Sequence, residues 1–235
     1  MRKYPERSGR AGRNIKIQIY AIHAKRQNGM IKVFFDVSIS LDGFIAGENR
    51  GPRNPLGDGG VDLHKWLFRQ KSFREAQKIG ETGETGREND MVLENLARTG
   101  ASIMGKNMFN EGEKNWPENL FKTPVYVLTH EHRKPWVQRG STTFYYLNEG
   151  IETILQNAKV AADGRDVRIS GGANIIQQFL NAGLVDEFTL HIAPMLIGSG
   201  IRLFENIDKS KVRVEILEAI HSPLVTHIKY RIRKE

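Results

Sequence analysis

An α/β architecture, with one sheet covered by helices on both faces, is what this sequence predicts, and three observations carry it. Strand-like and helix-like patterns alternate from Met30 onward. The strand-like runs are short, β-branched or aromatic, and bounded by turn residues. Two of them run through glycine into a segment that reads as a helix.

In order, IKVFFDVSIS (31–40) reads as the first strand and stops at Asp42-Gly43. GENRGPRNPLGDGG (47–60) is a long glycine-rich loop. VDLHKWLFRQKSFREA (61–76) places Val61, Leu63, Trp66, Leu67 and Phe73 at partly helical spacing, and KIGETGETGREN reads as a second loop. DMVLENLARTG (90–100) predicts a helix with Asp90 near its start and Gly100 at its stop, feeding a buried strand ASIMG (101–105). Strands follow at PVYVLT (124–129), TTFYYL (142–147) and DVRIS (166–170), with helices at GIETILQNAKVAA (150–162) and NIIQQFLNAG (174–183). LVDEFTLHIAPMLIG (184–198) predicts a long strand broken at Pro194, and KVRVEILEAIHS with LVTHIKYRIRK a closing antiparallel pair.

The formal net charge of +8 is unevenly placed, because residues 1–29 carry eight basic side chains against Glu6 and leave +1 for the rest. The body is nearly neutral, which disfavours nucleic acid as a partner. An early start, an appended stretch, a disordered basic arm and a targeting segment all stay open for residues 1–29. Met30 is the preferred beginning, and residues 30–235 are expected to form a single domain. With no cysteine, disulfides, thiolate–metal sites and a cysteine nucleophile are excluded, which fits a reducing cytoplasm. No metal is expected. No apolar run approaches the roughly 20 residues that cross a bilayer, so no membrane partner is expected either.

The glycine pair in RISGGANIIQQFL (168–180) is the first chemical signal. A strand that ends in glycine before a helix presents free amides and the positive end of the helix dipole, where phosphate binds well. A purely steric turn explains the pair equally well. IMGKNMF (103–109) repeats the logic with Gly105, Lys106 and Asn107, and VLTHEHRK (127–134) adds Thr129, His130 and Arg133 after another strand. Ligands of open α/β sheets sit beyond the carboxyl ends of strands, so three such ends can share one crevice.

SISLDGFIAG, GASIMGKNMFNEG, VYVLTHE and ISGGANIIQQFLNAGLVDEFTLHIAPMLIGSGIRLF occur here in the order seen in the dihydrofolate-reductase-like superfamily. The last block resembles the C-terminal reductase domain of bacterial bifunctional deaminase-reductases of riboflavin synthesis. The resemblance covers residues 31–232 and implies a three-layer α/β/α fold on a mixed, mainly parallel eight-stranded sheet, with NADPH as hydride donor. It implies that Val37, Ser38 and Ile45 line the nicotinamide, and that Gly105, Lys106 and Asn107 hold phosphates. Thr129 and His130 would lie near the adenosine 2′-phosphate. Ser170, Gly171, Gly172, Ala173 and Asn174 would cradle the pyrophosphate. The superfamily's arginine after the MG turn is Lys106 here, which keeps the charge and loses the fork.

The same resemblance directs attention to a carboxylate before the MG strand. Counting back from Met104 brings that position to Asn89 or Asp90. Asp42 lies in the segment that faces the ligand and is the other catalytic candidate, although Asp42-Gly43 reads equally as a simple turn. Phe44 and Phe109 are candidate substrate contacts. The segment from about 50 to 88 reads as a lid in which His64 and Trp66 offer a titratable group and a stacking surface, or else pack. His191 is expected to be an inward structural histidine, and Glu187 to satisfy backbone groups or pair across an interface. A homodimer is expected by resemblance alone.

ENLFKTP lacks the arginine that binds the tail of folate, so folate is disfavoured. The deaminase half of the bifunctional enzymes needs cysteines for zinc, and these residues have none. The expected function is NADPH-dependent reduction of a pterin- or pyrimidine-type heterocycle. A non-catalytic nucleotide- or flavin-binding module on the same fold is the rival.

Overall fold

A computed structural model describes residues 30–234, so the readings placed on residues 1–29 lie outside the described residues. The nine strands β1 (Val33–Ser40), β3 (Thr99–Gly105), β4 (Val125–Leu128), β5 (Trp136–Val137), β6 (Thr143–Leu147), β7 (Asp166–Gly171), β8 (Glu187–Ala193), β10 (Arg213–His221) and β11 (Thr226–Arg233) form one sheet. Its order is β10-β11-β8-β1-β7-β3-β4-β6-β5. The five central pairings from β8 to β6 are parallel, and β5, β10 and β11 join antiparallel at the edges. The expected sheet is thus mixed and mainly parallel, with nine strands rather than eight because the short β5 adds an edge. β2 (Phe44–Ala46) and β9 (Ile201–Arg202) pair separately.

Strand alternation sends β1 side chains to opposite faces. Val33, Phe35 and Ile39 join Ile103, Val167 and Ile169 in a core closed by Ile154, Leu155 and Ala158 of one helix and Ile176, Phe179 and Leu180 of another. These helices are Ile151–Ala161 and Ala173–Asn181. On the other face, a short 3₁₀ turn (Gly60–His64), α1 (Lys65–Arg69), α2 (Lys71–Ala76), α3 (Arg87–Arg98) and α4 (Lys106–Gly112) cover the sheet; the first two helices named are therefore α5 and α6. Phe109 of α4 fills an aromatic cluster with Trp116, Trp136 and Phe144.

Two boundaries differ from the sequence reading. α3 begins at Arg87 and ends at Arg98, where Thr99 Oγ1 donates to the Asn95 carbonyl at 2.6 Å. Gly100 is therefore no helix stop. It lies inside β3, where a Cβ would come within 2.3 Å of the Ala162 carbonyl oxygen, so close strand–helix packing explains the glycine. Glu187 makes ion pairs within the chain, to Arg98 at 2.7 Å, Lys32 at 2.7 Å and Lys229 at 3.2 Å.

Candidate active site

Because β1, β7, β3 and β4 run parallel, their carboxyl ends meet at one edge, and a cavity of about 730 Å³ opens there. Every expected cofactor residue lines it: Val37, Ser38 and Ile45 from the β1–β2 segment, Gly105, Lys106 and Asn107 after β3, Thr129 and His130 after β4, and Ser170 through Asn174 after β7.

The glycine pair is shaped for close approach. Gly171 sits at φ 125°, where a side chain is strained, and the peptide between it and Gly172 is cis. Gly172 has ordinary backbone angles, φ −75° and ψ −167°, and a Cβ there would meet nothing within 4 Å. No side chain caps α6, so its first-turn amides, which have no acceptor within a helix, are free to bind an anion. Open space against bare amides fits a diphosphate. The Ser170 hydroxyl next to them is buried without a hydrogen-bond partner among the described residues.

Lys106 is paired with Glu131, and Thr129 Oγ1 accepts from the Glu131 amide at 3.1 Å. A carboxylate thus shares the end of the cavity expected to hold the adenosine ribose. Lysine there is a shared point charge rather than a dedicated phosphate fork.

The other end of the cavity lies between the sheet and α1–α3. Its floor is Asp36 of β1 and Arg168 of β7, 2.6 Å apart between Oδ1 and Nη2, with Asn95 Nδ2 donating to Asp36 Oδ2 at 2.6 Å. Burial would raise the Asp36 carboxyl, but Arg168, His191 and Arg98 outweigh it and hold the group ionised, well below the usual carboxylate range. The Arg168 contact is an ion pair without hydrogen-bond geometry, so Asp36 Oδ1 and Arg168 Nε both stay without a hydrogen-bond partner among the described residues. Both atoms are themselves buried, so the polar surface the floor offers a ligand is the exposed remainder of the two side chains, 31% of Arg168 and 11% of Asp36.

Neither nominated acid lines the cavity. Asp42 is outside the cavity lining and secures the turn: it accepts from Ser40 Oγ at 2.5 Å, Ile197 N at 3.1 Å and Gly198 N at 2.7 Å. The Ser40 hydroxyl and these amides lower its pKa to about 2, as suits a structural carboxylate. Asp90 is exposed on α3, and its neighbour Asn89 is buried with Oδ1 accepting from the Ser72 amide at 2.8 Å. Neither lines the cavity, because the inward stripe of α3 is Met91, Val92, Asn95 and Leu96. Phe44 lies under the Arg202 guanidinium at 4.3 Å and Phe109 belongs to the aromatic core, so both are packing residues.

The 50–88 segment forms a wall of the cavity, with Leu63 and Trp66 buried against Ala193 and Val225. His64 and Trp66 line the cavity. Trp66 Nε1 donates to Ser38 Oγ at 3.1 Å, which fixes the ring as wall. Burial pulls His64 down to about 4, and its Nδ1 lies 3.3 Å from the Gly60 carbonyl. An unfolded His64 binds a proton at its ordinary 6.5, so the folded state loses ground as pH falls from 6.5 to 4. We predict that stability rises across this window by at most about 3 kcal/mol on its account. His64→Gln should flatten the slope in denaturant titrations, and an unchanged slope would refute the assignment.

Asp36, Asn95, Arg168 and His191 were not among the expected site residues. Their signal was present: a charged residue at the centre of VFFDVSIS, sharing alternation with Ser38 and Ser40, and a second inside DVRIS.

A family model described as the RibD C-terminal domain matches residues 31–226, and the chain belongs to that family. It is 25% identical over 190 residues to the uncharacterized protein YyaP of Bacillus subtilis (strain 168), spanning 79% of this chain and 86% of that one. Among solved structures it resembles a diaminohydroxyphosphoribosylaminopyrimidine deaminase/5-amino-6-(5-phosphoribosylamino)uracil reductase from Thermotoga maritima at 15% identity and TM-score 0.58, covering 94% of this chain and 62% of that one. It also resembles a pyrimidine reductase-like protein from Corynebacterium diphtheriae at 13% identity and TM-score 0.52, covering 87% and 93%. The fold is reductase-type.

Proposed function

We propose that this protein is an NADPH-dependent reductase of a pyrimidine- or pterin-type heterocycle, working in the cytoplasm. The observation that carries the reading is the continuity, in one cavity, of a phosphate cradle at Gly105, Lys106 and Gly171–Asn174 with a buried polar floor at Asp36 and Arg168. The dinucleotide, when bound, supplies a hydride. The α6 amides and Lys106 would hold its diphosphate, and Val37, Ser38 and Ile45 would lie against the nicotinamide. The partly exposed Arg168 guanidinium would donate to an oxygen or nitrogen along the polar edge of a flat ring, and Asp36 beside it would hold that guanidinium in place, so the floor orients the substrate. The ribosylamino-pyrimidine of riboflavin synthesis has an edge of this kind.

The test is oxidation of NADPH by the purified chain against a panel of pterins, pyrimidines and quinones, with calorimetry of dinucleotide binding alongside. For the acceptor that turns over, Asp36→Asn should lower kcat/KM by roughly ten- to a hundredfold, the worth of one charge-assisted hydrogen bond. Dinucleotide affinity should stay within a few-fold. Tight dinucleotide binding without turnover on any acceptor would favour the non-catalytic binding module instead.

A further inference from the structure

Reduction of a ring double bond needs a proton as well as a hydride. Asp42 and Asp90 do not line the cavity, and Asp36 is held ionised with no proton to give. Behind the polar floor, a chain of titratable groups leads away from the cavity. His191 of β8 lines the cavity, with Nε2 3.8 Å from Asp36 Oδ2. Its Nδ1 lies 2.7 Å from Nδ1 of His227, the residue opposite it on β11. His227 Nε2 lies 2.9 Å from Glu88 Oε1 of α3, which also accepts from Ser222 Oγ at 2.8 Å. Trp66 packs against both imidazoles, at centroid distances of 4.5 and 4.9 Å.

The tautomers follow from the outer end. A carboxylate only accepts, so Glu88 places a hydrogen on His227 Nε2. In the neutral pair His227 Nδ1 therefore accepts from His191 Nδ1–H, and His191 Nε2, at 3.8 Å beyond hydrogen-bond reach of Asp36 Oδ2, stays bare.

We propose that His191 is the proton donor to the ligand and that His227 and Glu88 are its proton store. The proposal rests on the reading of the cavity as a reductase site. On loading, cavity water delivers one proton to His191 Nε2, the Nδ1 hydrogen of His191 passes to His227 Nδ1, and the positive charge settles on His227 beside Glu88. On release, His191 Nε2 gives its proton to a basic ring atom of the ligand and His227 Nδ1 returns its hydrogen. Both rings end neutral, and the net transfer is one proton. The charged and titratable groups that face the pair are Asp36 on β1, Arg168 on β7, Glu88 and Arg87 on α3, and His64 on the 3₁₀ turn. Asp36 and Glu88 flank it with negative charge, while burial and the mutual repulsion of the rings keep a second proton out.

Ring ¹⁵N NMR of the full chain labelled at histidine tests the store without turnover. Between pH 4 and 9, His191 and His227 should change on one shared curve that accounts for a single proton. In Glu88→Gln that midpoint should fall by at least one pH unit while the His64 signals stay in place. Separate titration of the two rings, no titration, or an unmoved midpoint in Glu88→Gln would each overturn the proposal. For an acceptor that NADPH reduces, the kcat profile should share the NMR midpoint and move with it in Glu88→Gln; a profile that ignores both would overturn the donor role. If no acceptor turns over, the reductase reading fails, and the NMR result still decides the store.

Discussion

Gly172→Ala is expected to leave the melting temperature nearly unchanged and to weaken NADPH binding about a hundredfold, the worth of one or two charge-assisted hydrogen bonds to phosphate. The dissociation of the two effects is what makes the substitution informative. Gly172 holds backbone angles that alanine adopts freely, and its Cβ would project into open space without touching the protein within 4 Å. The folded chain therefore has no reason to resist the methyl group. On the proposed reading, that same space is where a diphosphate would lie against the uncapped amides at the start of α6. Gly171→Ala is the contrasting control: at φ 125°, with Met108 Sδ 3.4 Å from the new Cβ, it should cost stability as well as affinity. Calorimetry with NADPH and a thermal melt on each variant read the two effects separately. Wild-type affinity in Gly172→Ala would remove the cradle from the argument, and with it the assignment of Gly105, Lys106 and Asn174.

The strand–glycine–helix junctions that line the cavity were legible in the sequence because they are local. A strand, a glycine and a helix start are adjacent along the chain, and each junction announces itself within a few residues. The fold was legible for the same reason, since alternation of periods two and 3.6 is a local pattern. What the sequence did not disclose is long-range or rotational. Asp36 and Arg168 meet only because β7 inserts beside β1 instead of the next strand in order, and no local signal announces that pairing. Asp90 lies outside the cavity lining for a rotational reason: counting residues back from Met104 reached a helix that does line it, but one position moves a side chain about 100° around the axis. The exposed Asp90 and the cavity-facing Met91 are neighbours in sequence on different faces of α3. His191 was read as an inward, hydrogen-bonded histidine. It is buried and bonded as that reading requires, and the partner that gives the bond chemical interest, His227, lies on a strand whose register could not be read.

At the opposite edge of the sheet, Arg98→Met is expected to destabilise the chain by about 3–5 kcal/mol at neutral pH, as breaking a buried ion pair does. Arg98 Nε lies 2.7 Å from Asp166 and Nη1 2.7 Å from Glu187, while its guanidinium carbon rests 3.9 Å above the Phe34 ring. Methionine replaces the apolar contact and leaves two buried carboxylates short of charge. Lys32 and Lys229 still reach Glu187, which limits the cost from being larger. The pH dependence identifies the cause. Burial raises the Glu187 carboxyl, but Lys32, Arg98 and Lys229 outweigh it and bring its pKa from 4.5 down to about 2. Its stabilising contribution is therefore complete above pH 4.5 and fades as pH falls towards 2. With Arg98 gone the folded-state pKa rises, so the variant gains a route to neutralise the carboxylate that the wild type does not need. The stability gap between the two chains should accordingly be widest near pH 7 and narrow towards pH 3 in urea titrations. A gap that stays constant with pH would mean that Arg98 contributes through packing on Phe34, and the ion cluster would lose its place as the clamp that closes β1, β7 and β8 at this edge.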